Sequence, residues 1–257
     1  MSFFTIAMLA ATISHATPQS AVAAYGEAVA RNDPALLASA FQPSAIMYCT
    51  DESGLHATYQ AQWKQRMQAS GTPAGPVSTT LEWVDAGATT ALARAAAIRG
   101  DRQFVDYLLL ARLEDGWRIV GKLCQAHALP KSDSTAAVSA VVDAKLAADR
   151  AWDPELLAGS IDSRALVMTV ENGEFVAATL AEWQARYVDR RKTSPGSAFT
   201  VTSRVIDARG DIGVARWSFR TSDGAVWTDR ALMLRTAEGW RMTALIYARE
   251  LPSSRDR

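Results

Sequence analysis

Apolar residues recur at helical spacing near the start of each half of the chain. They are Val22, Tyr25 and Val29 in the first half and Val138, Val142 and Leu146 in the second. This spacing predicts an amphipathic helix with one face against a core. An Asp-Pro pair follows each run, at Asp33 and Asp153. Proline at the first helical position costs no hydrogen bond, so a second, shorter helix is predicted after each pair.

The rest of each half is dominated by strand patterns. Short apolar runs at 46–50 and 166–170 predict a first strand, and helical spacing returns around Trp63 and Trp183. In the first half, four further strands are then predicted, at 81–84, 91–98, 104–113 and 117–124. Gly-containing turns such as Asp115-Gly116 and Asp223-Gly224 separate such runs, as in antiparallel hairpins. Helices followed by a strand meander indicate an α+β domain.

The two halves are copies of one unit. Trp63 corresponds to Trp183, 120 positions later, and Gly116-Trp117-Arg118 corresponds to Gly239-Trp240-Arg241, 123 positions later. A register that holds across most of the chain predicts a tandem duplication. We place the first domain at 17–129, a Pro-containing linker at 130–134, the second domain at 135–251 and a tail at 252–257.

The first sixteen residues have no counterpart in the second copy. Phe3 to Ile13 is an apolar run, and Ser14-His15-Ala16 follows with small residues at the positions that signal peptidase reads. Residues 1–16 are therefore predicted to be a removable signal peptide or an extra N-terminal helix. The first alternative implies export, the second a cytoplasmic protein. No other segment is apolar for long enough to span a bilayer.

Charge and cysteine content narrow the function classes. Lys plus Arg and Asp plus Glu both total 27, so no net field favours nucleic acid or an anionic membrane. Cys49 and Cys124 fit neither a zinc pattern nor a redox CxxC pair, and we expect them to be buried thiols. No histidine lies in a metal-binding spacing, so neither a metal nor another cofactor is predicted. His56 follows a strand and is a minor acid/base candidate.

The strand motifs resemble a known family. Phe104-Val105-Asp106-Tyr107-Leu108 followed by Gly116-Trp117-Arg118, and Trp227-Thr228-Asp229-Arg230 followed by Gly239-Trp240-Arg241, are similar to the terminal hairpin of the putative lumazine-binding and polyketide cyclase-like branch of the nuclear transport factor 2-like superfamily. This resemblance implies two tandem cone-shaped domains, each with about three helices packed on a curved antiparallel sheet. Because single-domain relatives are commonly homodimers, it also implies an intramolecular pseudo-dimer.

The resemblance leaves the activity open, because relatives include isomerases, cyclases, dehydratases and non-enzymatic binding modules. Family members often carry Phe-His-Pro-Asp-Ala before the first strand. The corresponding segments here are Phe41-Gln42-Pro43-Ser44-Ala45 and Ile161-Asp162-Ser163-Arg164-Ala165. Neither copy keeps both the imidazole and the carboxylate, which places any chemistry that depends on them in doubt.

Asp106 and Asp229 interrupt otherwise apolar strand rows at the same place in both copies. A carboxylate facing a dry cone would have a raised pKa and could act as a general acid or base, and Asp106 is the candidate catalytic residue. The alternative is structural. If the hairpin turns centre near residue 100 and between 222 and 223, Arg94 opposes Asp106 and Arg216 opposes Asp229 in ion pairs.

Large aromatic residues complete the candidate set. Trp63 and Trp183 line a ligand pocket or form core, and the other candidate ligand-binding residues are Tyr48, Tyr107 and Asp229. Three functions follow: binding of a small apolar or aromatic molecule without catalysis; an isomerase, cyclase or dehydratase that uses Asp106 with Tyr48 or Tyr107; or a structural or partner-binding module with collapsed cones.

Overall fold

The computed structural model describes residues 13–71, 75–126 and 133–250. Residues 1–12, most of the predicted linker and the predicted tail lie outside these ranges, so those predictions stay predictions. No helix in the described ranges is long and apolar enough to cross a membrane.

Within the described ranges, each domain has three helices and six strands in the same order. The elements of the first domain are α1 (Pro18–Arg31), α2 (Pro34–Ala40), β1 (Phe41–Asp51), β2 (Gly54–Tyr59), α3 (Gln60–Ala69), β3 (Val77–Ala86), β4 (Thr90–Arg99), β5 (Arg102–Leu113) and β6 (Gly116–Ala126). Those of the second are α4 (Thr135–Ala151), α5 (Pro154–Ser160), β7 (Ile161–Glu171), β8 (Glu174–Thr179), α6 (Leu180–Thr193), β9 (Phe199–Arg209), β10 (Ile212–Thr221), β11 (Val226–Thr236) and β12 (Gly239–Glu250). The predicted α+β class and tandem duplication are confirmed.

The short helices begin where the sequence provides caps. Asp33 accepts hydrogen bonds from the backbone of Ala35 and Leu36 at the start of α2, and Asp153 caps α5 in the same way. Proline follows each aspartate, where its missing N–H costs nothing. Each Asp-Pro pair thus starts a helix that turns the chain into the first strand of the sheet.

The strands of each domain form one open six-stranded sheet. The order is β2-β1-β6-β5-β4-β3 in the first domain and β8-β7-β12-β11-β10-β9 in the second. All neighbours are antiparallel except β1–β6 and β7–β12, which are parallel. The helices cover one face of each sheet. We call the space between that face and the helices the cone of the domain.

The opposite faces of the two sheets pack against each other. This interface contains Tyr48, Tyr107 and Leu109 of the first domain with Met168, Leu232 and Ile246 of the second, all nearly fully buried. Because side chains alternate along a strand, Asp106 faces the first cone while Tyr107 faces the interface. The prediction that Tyr48 and Tyr107 line a ligand pocket is therefore wrong.

The repeated arginines connect the two domains, and the predicted ion pairs within each hairpin are wrong. Arg94 Nη1 lies 3.1 Å from Asp207 Oδ2, and Arg216 Nε lies 3.0 Å from Asp85 Oδ2. Since Asp85 corresponds to Asp207 in the repeat, the two contacts are reciprocal, as in a two-fold dimer interface.

The predicted ion pairs are wrong because the expected register of each hairpin is displaced by one residue. Arg99 pairs with Arg102 across the first hairpin, so Arg94 opposes Tyr107 and not Asp106. In the second hairpin Arg216 opposes Arg230, and Asp229 opposes Trp217. A one-residue shift moves a side chain to the other face of the sheet. The arginines consequently face the interface and the aspartates face the cones.

Candidate functional site

The second cone encloses a cavity of about 770 Å³. Strands β7, β10, β11 and β12 form its wall, and α4 and α6 cover it. Thr89, from the turn between β3 and β4 of the first domain, also contributes to the lining. Ligand sites for small molecules have volumes of roughly 300–1,000 Å³, so this cavity is large enough for a molecule of several rings.

Aromatic rings form much of the cavity wall. Trp183 on α6 lies 5.4 Å from Tyr247 on β12, and Tyr247 lies 6.0 Å from Trp227 on β11, measured between ring centroids. Phe199 and Phe219 form a second contact at 4.9 Å. Rings at these separations attract one another and present flat apolar surfaces. The wall is therefore suited to a planar, largely apolar molecule.

A polar cluster lies in the cavity lining among these rings. Lys145 Nζ donates to both carboxylate oxygens of Asp149, at 2.7 Å each, and the Tyr187 hydroxyl also donates to Asp149. Asp229 Oδ2 lies 4.0 Å from Lys145 Nζ, beyond hydrogen-bond distance. Asp149 thus holds the ammonium group closely, and Asp229 has the more distant contact with it.

The Asp229 carboxyl group has a strongly raised pKa. Burial raises the pKa of Asp229 from its ordinary value of 3.8 to about 7; Lys145 opposes the rise and Asp149 adds to it. Burial penalises the ionised carboxylate, and a cation 4.0 Å away that is already paired compensates only in part. Near neutral pH, Asp229 can therefore both accept and donate a proton.

The first cone is much smaller and its aspartate is fully engaged. Its cavity measures about 180 Å³. Asp106 accepts hydrogen bonds from Lys122 Nζ and from the Tyr25 hydroxyl, both at 2.6 Å. Arg99 in turn donates to the Tyr25 hydroxyl at 2.8 Å. The Asp106 carboxylate has two close donors, which makes it a poor general base.

The two cones differ in the element that supplies the lysine. In the repeat, Tyr25 corresponds to Lys145 and Lys122 corresponds to Leu245. The first cone therefore has its lysine on β6, hydrogen-bonded to the aspartate, whereas the second has it on α4, paired with Asp149 on the same helix. Because the lysine is on α4, Asp229 is not hydrogen-bonded to it and borders the second cavity.

The predicted site residues separate into two cavities. Trp183 and Asp229 line the second, and Trp63 and Asp106 line the first. His56 is exposed and lies 2.8 Å from the Ser53 hydroxyl and 3.4 Å from the Asp51 carboxylate, among residues that line neither cavity. Both contacts are made by the same ring nitrogen, Nε2, so the three side chains do not have the carboxylate–histidine–hydroxyl order of a catalytic triad.

Cys49 and Cys124 form a disulfide bond, so the expectation of two buried thiols is wrong. The residues lie directly opposite each other on the parallel strands β1 and β6, with their Cα atoms 4.4 Å apart. Seventy-five positions separate them in the sequence, and only the parallel pairing of these strands brings them together. The antiparallel meander expected from the sequence did not include that pairing.

Sequence reasoning missed Tyr25, Lys122, Lys145, Asp149 and Tyr187. Lys145 and Asp149 continue the apolar stripe of α4, at 138, 142, 145 and 149. A lysine and an aspartate four residues apart on the core-facing side of a helix indicate a buried ion pair. That signal was available and would have located the cluster.

The described residues contain no group of three or more His, Cys, Asp or Glu side chains placed to hold a metal ion. No metal site is therefore assigned among the described residues, and the candidate chemistry rests on the second cavity with its aromatic wall and its acid.

Comparisons with known proteins bear on the fold. A family model described as "Putative lumazine-binding" matches residues 14–125 and again 133–248. A search of the curated proteins found no match. Solved structures that resemble the chain include a nuclear transport factor 2-like protein of unknown function from Silicibacter pomeroyi, with 19% identity, 45% of this chain and 94% of that chain covered, and a TM-score of 0.38.

Two other similar structures are of proteins described by an activity. A putative ketosteroid isomerase from Shewanella frigidimarina has 18% identity, with 44% of this chain and 94% of that chain covered and a TM-score of 0.36. A putative dehydratase of the same superfamily from Streptomyces avermitilis has 16% identity, with 46% and 97% covered and a TM-score of 0.39. Each covers about half of this chain, the length of one domain.

Proposed function

The chain belongs to the putative lumazine-binding family in both of its halves, and we propose that it is a small-molecule-binding protein whose second cone takes an apolar or aromatic molecule. The observation that carries this proposal is the contrast between the cones, about 770 Å³ against about 180 Å³. The first cone is below the usual range of ligand sites. We assign it a structural role, as the domain against which the second is held.

Truncation of the two equivalent tryptophans tests the proposal. Trp183 and Trp63 occupy the same position of α6 and α3, and each lines its own cone. Binding of the fluorescent probe 1-anilinonaphthalene is measured for wild type, Trp183→Ala and Trp63→Ala. The proposal predicts at least about tenfold weaker binding for Trp183→Ala, because stacking on the indole is lost. Trp63→Ala should bind like wild type.

A second variant separates loss of binding from loss of folding. Thr169 is buried on β7 and lines the second cavity. Thr169→Trp adds a ring to that space while it keeps Trp183 in place, and its fold is checked by circular dichroism. A folded Thr169→Trp protein that binds the probe as tightly as wild type rules out the second cone as the site.

A specific observation also favours an acid–base enzyme at the same site. Asp229 lines an open cavity, its pKa is raised to about 7, and its nearest cation is paired with another carboxylate. Such an acid could remove a proton from carbon next to a carbonyl group, which is a step in isomerase, cyclase and dehydratase reactions. The candidate general base is then Asp229, and no longer Asp106.

Hydrogen exchange tests this second function. An apolar cyclic ketone such as α-tetralone is incubated in D₂O with the protein, and exchange of its α-hydrogens is followed by NMR. The enzyme function predicts exchange above the buffer rate that disappears in Asp229→Asn and persists in Asp106→Asn, provided that both variants are folded. Equal rates for wild type and Asp229→Asn would exclude Asp229 as the base for this substrate class.

We also infer that the protein works in an oxidising compartment. Disulfides are rare in the cytosol and common in exported proteins, and the Cys49–Cys124 bond agrees with the signal peptide predicted at residues 1–16. His15, however, is buried and its backbone carbonyl accepts from Trp117 N–H, so the packing favours a cleavage site before His15 over one at Ala16. Mass spectrometry of the protein purified from its source gives the mature N-terminus.

A further inference from the structure

Arg190 lies at the second cavity and is held by stacking. Its guanidinium carbon is 4.7 Å from the centre of the Trp152 ring and 6.0 Å from that of Trp183. All three side chains line the cavity. Within the described ranges, no carboxylate is within ion-pair distance of Arg190. A guanidinium that lies over aromatic rings and has no carboxylate partner keeps N–H groups available, and those groups match the geometry of an oxyanion.

Trp152 occupies a backbone position that is unfavourable for it. It is the C-cap of α4, with φ at +47°, in the left-handed region where bulky residues are rare. The corresponding residue of the first domain is Asn32, with φ at +52°. Its amide donates hydrogen bonds to the backbone oxygens of Met67 and Ser70, at 2.8 and 2.7 Å, which tie α1 to the end of α3.

With tryptophan at this position, the second domain lacks a residue suited to the left-handed backbone. It also lacks the two hydrogen bonds that Asn32 makes in the first domain. The tryptophan gains a ring contact with Tyr187, at 5.3 Å between centroids, and the stack with Arg190. Its Nε1 is buried without a hydrogen-bond partner among the described residues. A bulky residue kept in a strained backbone position, with its side chain in a cavity wall, indicates a residue kept for binding.

We propose that the ligand of the second cone is an aromatic molecule that carries an oxyanion, such as a carboxylate or sulfonate. Its ring system stacks among Trp152, Trp183 and Tyr247, and its anionic group takes hydrogen bonds from Arg190. Lys145 cannot take this role because Asp149 already neutralises it. The proposal rests on the proposed function and specifies its ligand.

Two probes that differ only in an anionic group test the assignment. They are 1-anilinonaphthalene, which is neutral, and 8-anilinonaphthalene-1-sulfonate. Affinities for both are measured by fluorescence for wild type, Arg190→Gln and Arg186→Gln. Arg186 is the matched control, because it also stacks on Trp183, at 4.7 Å, but does not belong to the cavity lining.

We expect Arg190→Gln to weaken binding of the sulfonate probe by about tenfold, the effect of losing a charge-assisted hydrogen bond. The ratio of the sulfonate affinity to the neutral-probe affinity should therefore fall about tenfold in Arg190→Gln, and Arg186→Gln should leave that ratio unchanged. If wild type binds the neutral probe but Arg190→Gln and Arg186→Gln bind the sulfonate equally well, the anionic ligand class is wrong and the proposed function stands. If wild type binds neither probe, the proposed function fails and the inference fails with it.

Trp152→Asn gives an independent readout. The substitution installs the residue of the first domain, which suits a left-handed backbone. We expect both probes to bind more weakly while the melting temperature stays the same or rises. A lower melting temperature with unchanged probe affinity would show that the indole serves folding, and would overturn its place in the site.

Discussion

The raised pKa of Asp229 predicts a pH dependence of stability that a single substitution removes. The ordinary pKa of 3.8 applies in the unfolded chain, and burial raises it to about 7 in the folded protein. Below pH 3.8 the group is protonated in both states and costs nothing. Above that value the folded state must hold a proton or bury a charge, so stability decreases until the pH passes about 7.

The size of the effect follows from the two pKa values. At about 1.4 kcal/mol for each factor of ten in proton affinity, the interval from 3.8 to about 7 corresponds to about 4 kcal/mol. Asp229→Asn has no such titration. The free energy of unfolding of the variant minus that of wild type should therefore increase by about 4 kcal/mol between pH 4 and pH 8. The groups around Asp229 that could alter this value are Lys145, Asp149 and Arg230.

Calorimetric unfolding at pH 4, 5, 6, 7 and 8 provides the measurement, since it resolves two domains if they melt separately. Comparison of the two proteins at each pH cancels groups that titrate alike in both. Constant stability differences across this range would mean that Asp229 ionises normally in the folded state. In that case a close cation compensates it, and both the acid–base function and the account of the polar cluster would be refuted.

Three further predictions concern the scaffold. Lys122→Met leaves the Asp106 carboxylate buried without its cation and should lower the free energy of unfolding by about 3–5 kcal/mol, measured by urea denaturation; a loss under about 1 kcal/mol would contradict the buried pair. Reduction of the Cys49–Cys124 bond should cost about 2–4 kcal/mol, and mass spectrometry of the alkylated, unreduced protein should find no free thiol. Arg94→Ala removes one of the reciprocal ion pairs between the domains together with the Arg94–Glu82 pair within the first domain, and should cost about 1–2 kcal/mol, with a smaller effect in high salt.

Much of the fold could be predicted because its signals are local or repeated. Helical spacing located α1 and α4, Asp-Pro pairs located the short helices, and the repeat gave the number of domains. Each of these features depends on residues close in sequence or on comparison of the chain with itself. None of these features requires knowledge of how the strands are arranged.

The candidate site was harder because it depends on strand register and on long-range pairing. A turn centre displaced by half a residue reversed the face of Arg94, which assigned an interface arginine to the cone. The parallel pairing of β1 with β6, which brings Cys49 to Cys124, has no signal in either strand alone. Asp229 could be identified as unusual, but its weak pairing depends on which element, strand or helix, provides the lysine.

We propose that, after the duplication, the second cone stayed open for a ligand and the first closed around an internal ion pair. The stoichiometry of binding tests it most directly. Isothermal titration of the wild-type protein with 1-anilinonaphthalene should give one site per chain, because only the second cone has a cavity of sufficient volume. Two sites of similar affinity per chain would show that both cones bind and would contradict the division of roles between the domains.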